Sequence, residues 1–500
     1  MNGPGRSEGE HAMRRNGFKT AWPVSAALQI GLAVSLGACS MLPGGDAPLG
    51  TTVTSGVETG VQRQDMIARK EARDTSSSSF AGAVVADEPA AALAARNVLE
   101  KGGNAADAAT ALYFALSVTY PAAAGLGGGG VCLAHEAGKS TVDSIAFLTR
   151  RPAEGGAIAI PGNVRGFALL QARHGSQPWA ELVSPAERLA ATGFPVSRAF
   201  GRQLADAAPV VAASGDLARL YAHADGRPYQ ELDSFSSIGL AATLAHIRSR
   251  GAAGFYEGET GRLLVAQARA KGGLLTAADL YNYRPEVSAA QTFASGNVNA
   301  ALPARGLGSG AFAATLWNNI RDVQGESALA EAGVRTAIAL GAPASQGAAL
   351  DGDFGSTSFA VVDGKGGAVA CAVTMNGAFG SGQTADGTGV VFAATPQEPL
   401  KGLASAFLVP VMIVNPHTNG LHAAGAGAGA PKGAVSIEHA MQRLLSGNGD
   451  AAAALAAGPA DARSPANAIV CSAGLPAGTC TLAVNPKGNG VGFGAVAAGR

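Results

Sequence analysis

The chain has 500 residues, 47% of them hydrophobic and 14% charged, and its 36 basic side chains balance 36 acidic ones. That length and apolar content support a large core and allow two to four domains. The charge balance excludes the basic footprint expected of a nucleic-acid-binding protein. With 70 glycines and only 5% aromatic residues, helical and strand periodicity is diluted throughout.

The N-terminus reads as an address. Arg14 and Arg15 precede a short apolar run at 26–36, which ends in Leu36, Gly37, Ala38 and Cys39. This is a signal peptide, too short for a spanning helix. The L-G-A-C tetrapeptide resembles the bacterial lipobox, which implies lipidation of Cys39 after removal of residues 1–38. The alternative is an ordinary secretory signal with Cys39 incidental. Ser40 follows in place of the aspartate that resembles an inner-membrane retention signal, so the outer membrane, on its periplasmic side or in the cell envelope, is the expected anchor. Residues 39–79 are Gly/Thr/Ser-rich and then polar, a flexible tether with a reach of roughly 35 Å. Export implies an oxidising compartment. Cys471 and Cys480 flank a loop-like stretch that a disulfide can close, whereas Cys132 and Cys371 sit in apolar strand-like runs and read as buried small hydrophobes.

The globular part opens near Phe80 with a strand, A-G-A-V-V-A. A helix follows at 89–101, with Pro89 early and Gly102-Gly103 as its stop, and a second runs over 104–118. Gly125, Gly127 and Gly130 satisfy G-x-G-x-x-G formally. The order is helix, glycines, strand, the reverse of a dinucleotide fingerprint, so nucleotide binding is rejected there. The glycines fit a close backbone approach or a tightly packed turn. Strand, turn and helix material continues through 157–175, 179–197, 254–258 and 272–283.

Residues 355–376 carry the chemistry. Two apolar runs, at 359–362 and 368–373, flank the turn D-G-K-G-G, a β-hairpin signal. Ser356 and Thr357 open the first strand, Thr374 closes the second, and Asn376 lies just beyond. A two-residue turn sets Thr357 opposite Thr374; a three-residue loop at 364–366 sets Ser356 there. A hydroxyl at the start of a strand becomes a nucleophile when the chain is cut before it, because the freed α-amine, with a pKa of about 7.7–8.0, is a base in the same residue.

Taken together, the segments V-V-A-D-E-P, K-G-G-N-A-A-D-A-A, G-L-G-G-G-G, P-G-N-V-R-G, P-W-A-E-L, F-Y-E-G, L-T-A-A-D-L-Y-N-Y, S-T-S-F-A-V-V-D and V-T-M-N resemble the gamma-glutamyltransferase (gamma-glutamyltranspeptidase) family of N-terminal-nucleophile hydrolases. The resemblance spans roughly residues 80–445 and is weak over 285–353. It implies an α+β fold, a four-layer αββα sandwich, cut into a large chain (80–355) and a small chain (356–500). It also implies attack of the new N-terminal hydroxyl on a γ-glutamyl amide such as glutathione, with transfer to water or an amine and no cofactor. By the same resemblance Ser356 occupies the nucleophile column and Thr357 the second-threonine column. Thr374 bonds the nucleophile, Asn376 and Glu398 hold the substrate, and Ala428 and Gly429 supply oxyanion-hole N–H groups ahead of a helix at 434–445.

Departures from the pattern are as informative. The nucleophile column holds serine instead of threonine, which leaves the cleavage point open by one residue. Leu148 stands where the family has the arginine that binds the substrate carboxylate. Arg150 and Arg151 lie nearby, and strand alternation favours Arg150. Of the paired serines that the pattern expects, only Ser405 is present. Other readings are an acylase of the same fold acting on a different amide, and a non-catalytic lipoprotein that keeps the scaffold. No G-x-S-x-G occurs, and the eight histidines are scattered, so neither a serine-hydrolase elbow nor a metal site is expected.

Overall fold

The computed structural model describes residues 80–343, 349–397, 403–447, 450–476 and 479–497. The leader, Cys39, the tether and Glu398 lie outside the described residues.

The strands, in chain order, are β1 (Phe80–Ala86), β2 (Gly129–His135), β3 (Val142–Phe147), β4 (Phe194–Pro195), β5 (Ser234–Phe235), β6 (Glu286–Ala289), β7 (Gln291–Ser295), β8 (Val298–Leu302), β9 (Ser356–Asp363), β10 (Ala368–Thr374), β11 (Thr384–Ala385), β12 (Val390–Val391), β13 (Val409–Val414), β14 (Leu421–Gly427), β15 (Ala466–Leu475), β16 (Cys480–Val484) and β17 (Val491–Val496). Seven form one sheet in the order β17-β1-β9-β10-β2-β3-β6, and six form a second, β16-β15-β14-β13-β8-β7. The remaining four make two short pairs.

Side-chain parity sorts the core into layers. Along β9, Ala360 and Val362 point toward the second sheet, where they meet Met412, Ala424 and Ile469. Phe359 and Val361 point the other way, into a layer of helices that includes Pro89–Glu100, Ala105–Thr119 and Asn163–His174. The second sheet packs its outer face on Gly308–Asn319, Glu326–Ala339 and Pro431–Leu445. Helices, sheet, sheet, helices: this is the four-layer αββα sandwich. Because β9 and β10 are covered on both faces, every residue of each is buried. That coverage explains why they read as apolar runs without clean alternation.

The helix boundaries follow local chemistry. Asn104 caps Ala105–Thr119 in a reciprocal capping box with Asp107. The glycines at 127–130 allow close approach: a Cβ on Gly127 would stand 2.2 Å from the carbonyl oxygen of Val391, and one on Gly128 2.5 Å from that of Thr374. The segment 285–353, weak in resemblance, builds β6 to β8 and two outer helices. The C-terminal residues supply β15, β16 and the edge strand β17, which pairs with β1.

One expectation about the cysteines is overturned. Cys132 and Cys371 are a disulfide, not separate buried hydrophobes. They face each other in register on β2 and β10, a proximity that no local spacing discloses. Cys471 and Cys480, paired across β15 and β16, are joined as expected.

Candidate active site

The turn joining β9 to β10 sets the register. Asp363 Oδ1 accepts from the N–H groups of Lys365 (2.9 Å) and Gly367 (3.0 Å), and the Asp363 N–H donates to the Gly367 carbonyl at 2.9 Å. The loop is therefore the three residues 364–366, and Ser356 lies opposite Thr374. The alternative register, with Thr357 opposite Thr374, is excluded.

At the open end of the hairpin the Ser356 hydroxyl donates to Thr374 Oγ1 at 2.9 Å and also lies 3.2 Å from the Phe354 carbonyl. Thr374 Oγ1 in turn accepts from the Asn376 N–H at 2.9 Å, and its own proton is shared between the carbonyls of Phe354 (3.0 Å) and Gly355 (3.3 Å). The Gly355 carbonyl, which belongs to the bond preceding Ser356, accepts from the Met375 N–H at 2.9 Å. Gly355 has φ +56°, and a Cβ there would stand 2.0 Å from the Gly377 carbonyl oxygen, so glycine is required. Its N–H donates to Asp353 Oδ1 at 2.7 Å. Burial pushes the Asp353 carboxyl above its ordinary range, with the Gly355 N–H and Arg463 opposing.

Thr357 is on the opposite face of β9. Its hydroxyl donates to Asp87 Oδ2 at 2.6 Å, and it is fully buried. Asp87 Oδ1 accepts from Asn467 Nδ2 at 2.8 Å. Burial raises the Asp87 carboxyl, and the bonds from Thr357, Asn467 and the Ser358 N–H offset part of that rise.

Asn376, with φ +60°, takes the left-handed conformation that asparagine tolerates better than most residues. Its Nδ2 donates to Thr149 Oγ1 and to the Ala394 carbonyl, both at 2.8 Å, and Ser405 Oγ stands 3.5 Å from its Oδ1. Ser405 and Asn376 thus lie side by side. Thr149 reaches the site from 227 positions away; it lies between Leu148 and Arg150, in the stretch that stands where the pattern has its carboxylate-binding arginine. Asp353 went unread in the sequence, although its signal is local: an aspartate two residues before a glycine is a common turn acceptor.

Beside this group lies a cavity of about 370 Å³ lined by Leu148, Thr149, Arg150, Arg151, Leu307 and Pro396, among others. Arg150 lines it and bonds Glu286 at 2.7 Å, with its guanidinium over the Tyr283 ring. The alternation argument for Arg150 does not hold, because β3 ends at Phe147 and Arg150 instead makes an isolated bridge with Ile160. Leu148 packs against Val131, Ala372, Leu408 and Ala428.

Ala428 is corrected as an oxyanion donor. Its N–H donates to the Pro465 carbonyl at 3.0 Å, extending the β14–β15 ladder by one residue. Gly429 follows with φ +91° and turns the chain toward the helix Pro431–Leu445, which starts three residues before the expected position. The N–H that meets the Gly355 carbonyl is that of Met375. No group of three or more metal-ligating side chains occurs among the described residues.

Comparison with known proteins agrees with this architecture. The structure superposes on the cephalosporin acylase of Bacillus halodurans with a TM-score of 0.68 at 20% identity, covering 83% of this chain and 96% of that one, a likeness of fold. The fold is that of the N-terminal-nucleophile hydrolases. Residues 91–296 match the gamma-glutamyltranspeptidase family model. It is 32% identical over 223 residues to glutathione hydrolase 2 of Arabidopsis thaliana, covering 42% of this chain and 38% of the relative. It is 34% identical over 232 residues to the acylase ACY 1 proenzyme of Pseudomonas sp. strain V22, covering 41% of each. The matched region spans about two fifths of the length of these curated relatives.

Proposed function

We propose that this chain is a self-processing acyltransferase and amide hydrolase that cuts itself before Ser356 and then acts on γ-glutamyl amides such as glutathione, with water or an amine as acceptor. The observation that carries the reading is the Ser356–Thr374 hydroxyl pair at 2.9 Å beside a scissile carbonyl held by the Met375 N–H. In the first step Ser356 Oγ attacks the Gly355 carbonyl carbon, and its proton passes through the Thr374 hydroxyl to the Ser356 nitrogen as that nitrogen becomes the leaving amine. The C–N bond breaks, and the amine of Ser356 leaves as the base for later turnovers. Water hydrolyses the resulting ester and releases the Gly355 carboxylate. The Met375 N–H, 2.9 Å from the oxygen that becomes negative, is placed for oxyanion stabilisation.

For substrate, Asn376, Thr149 and Ser405 give a polar edge, and Arg150 offers a guanidinium to the α-carboxylate. Its bond to Glu286 is half exposed, worth at most about 1 kcal/mol, so a substrate carboxylate displaces Glu286 cheaply. Glu398 is assigned the substrate amino group. A second reading, an acylase for a different amide, is favoured by Leu148 and Leu307 in the cavity wall.

The test compares γ-glutamyl-p-nitroanilide with glutaryl-p-nitroanilide, its analogue without the α-amino group. The γ-glutamyl compound is expected to turn over faster, by about tenfold or more for one charge-assisted contact. Faster turnover of the glutaryl compound would establish the second reading. No turnover of either by an uncut chain would leave a non-catalytic scaffold.

Export and a lipid anchor at Cys39, on the outer membrane, belong to the same proposal. They are supported by the L-G-A-C tetrapeptide and by two disulfides, bonds that persist in oxidising compartments. Fatty-acid labelling of the full chain, lost in Cys39→Ala, is the expected result; labelling that survives the substitution would remove the anchor.

A further inference from the structure

The bond before Ser356 lies between two cysteines that the fold has already joined. Cys132 is on β2, in the part of the chain that precedes the cut; Cys371 is on β10, in the part that follows it. They are 239 residues apart in sequence, directly opposed in the β2–β10 ladder, and both fully buried. The second disulfide, Cys471–Cys480, closes a separation of nine residues wholly inside the C-terminal part.

We propose that the Cys132–Cys371 disulfide covalently joins the two chains of the processed protein. The inference rests on the self-processing reading above. The cut breaks one C–N bond and adds one water across it; no sulfur is oxidised or reduced, so a disulfide present in the precursor passes unchanged into the product. The tie sits where it matters for the site. Cys371 is three residues before Thr374 on β10, and Thr374 pairs with Gly129 on the same β2 strand that carries Cys132. The cross-link therefore fixes the strand bearing the nucleophile's partner to the glycine-rich entry of β2.

Without the disulfide the two chains are still interleaved. β9 and β10 lie between β1 and β2, and β13 pairs with β8. Native association alone thus says nothing about the tie. Denaturation does. A cross-linked pair unfolds as one molecule and refolds unimolecularly, whereas untied chains must find each other again.

The experiment uses the full chain, purified from cell envelopes after thiols are blocked by alkylation, and run on denaturing gels with and without reductant. A single band near the intact mass without reductant is expected, resolving with reductant into two, the smaller running from Ser356 to Arg500. The Cys132→Ala/Cys371→Ala variant is expected to show two bands in both lanes, and Cys471→Ala/Cys480→Ala to behave as the parent does. Two bands in both lanes for the parent would overturn the cross-link while leaving self-processing intact. One band with reductant would overturn self-processing itself, and the cross-link between chains with it. Release of the chains by the Cys471/Cys480 variant would assign the tie to the wrong pair.

Discussion

Ser356→Ala is expected to leave the chain uncut and to lower any acyl-transfer activity by at least about 10³-fold, while Thr357→Ala still cuts at Gly355–Ser356. The two hydroxyls are neighbours in sequence and opposites in space. Ser356 faces the space between the sheets, bonded to Thr374 and adjacent to the Gly355 carbonyl. Thr357 is on the other face of β9 with its proton committed to Asp87 at 2.6 Å. To attack the Ser356 carbonyl it would have to leave that bond and turn to the other face of a strand paired on both sides, by β1 and β10. Its loss has a different signature. Asp87 keeps the Asn467 bond but forfeits a buried partner, costing about 1–3 kcal/mol of stability. The intact masses of both variants, with urea unfolding of Thr357→Ala, check the assignment. A break between Ser356 and Thr357, or cutting by Ser356→Ala at an unchanged rate, would defeat it.

Much of this site is legible in the sequence because it is local. The D-G-K-G-G turn, the hydroxyls at the hairpin mouth and the Cys471–Cys480 loop all depend on residues within about twenty positions of one another. Register was legible only as two alternatives, since the choice depends on how many turn N–H groups Asp363 collects. What the sequence hides is long-range. Thr149 is recruited by Asn376, Asp87 by Thr357, and Cys132 by Cys371, each across more than two hundred positions. Alanine-rich apolar surroundings make a disulfide cysteine look like any other small core residue. Ala428 shows the converse error. The resemblance assigned it an oxyanion-hole N–H, yet the ladder runs one residue past the strand and takes it.

Glu438→Met is expected to stabilise the fold by about 1–3 kcal/mol, the cost of burying a polar group without hydrogen bonds. Glu438 is fully buried in the helix Pro431–Leu445, and neither carboxyl oxygen has a hydrogen-bond partner among the described residues. Desolvation pushes its carboxyl well above the ordinary value of 4.5, so the folded protein holds it neutral. The sign follows from linkage. Below about 4.5 the group is protonated both folded and unfolded, and its contribution is at its best. As pH rises the unfolded chain ionises and the folded one resists, so this contribution is lost progressively until the folded group ionises too. That is opposite to the behaviour of a salt-bridged carboxylate. Methionine has similar length and no charge, so the gain from Glu438→Met should grow as pH rises above 4.5. Urea midpoints of both proteins between pH 5 and pH 8 test this, with the variant's advantage widening toward pH 8. An advantage that is flat or shrinks with pH would mean that Glu438 is ionised and paired in the folded chain.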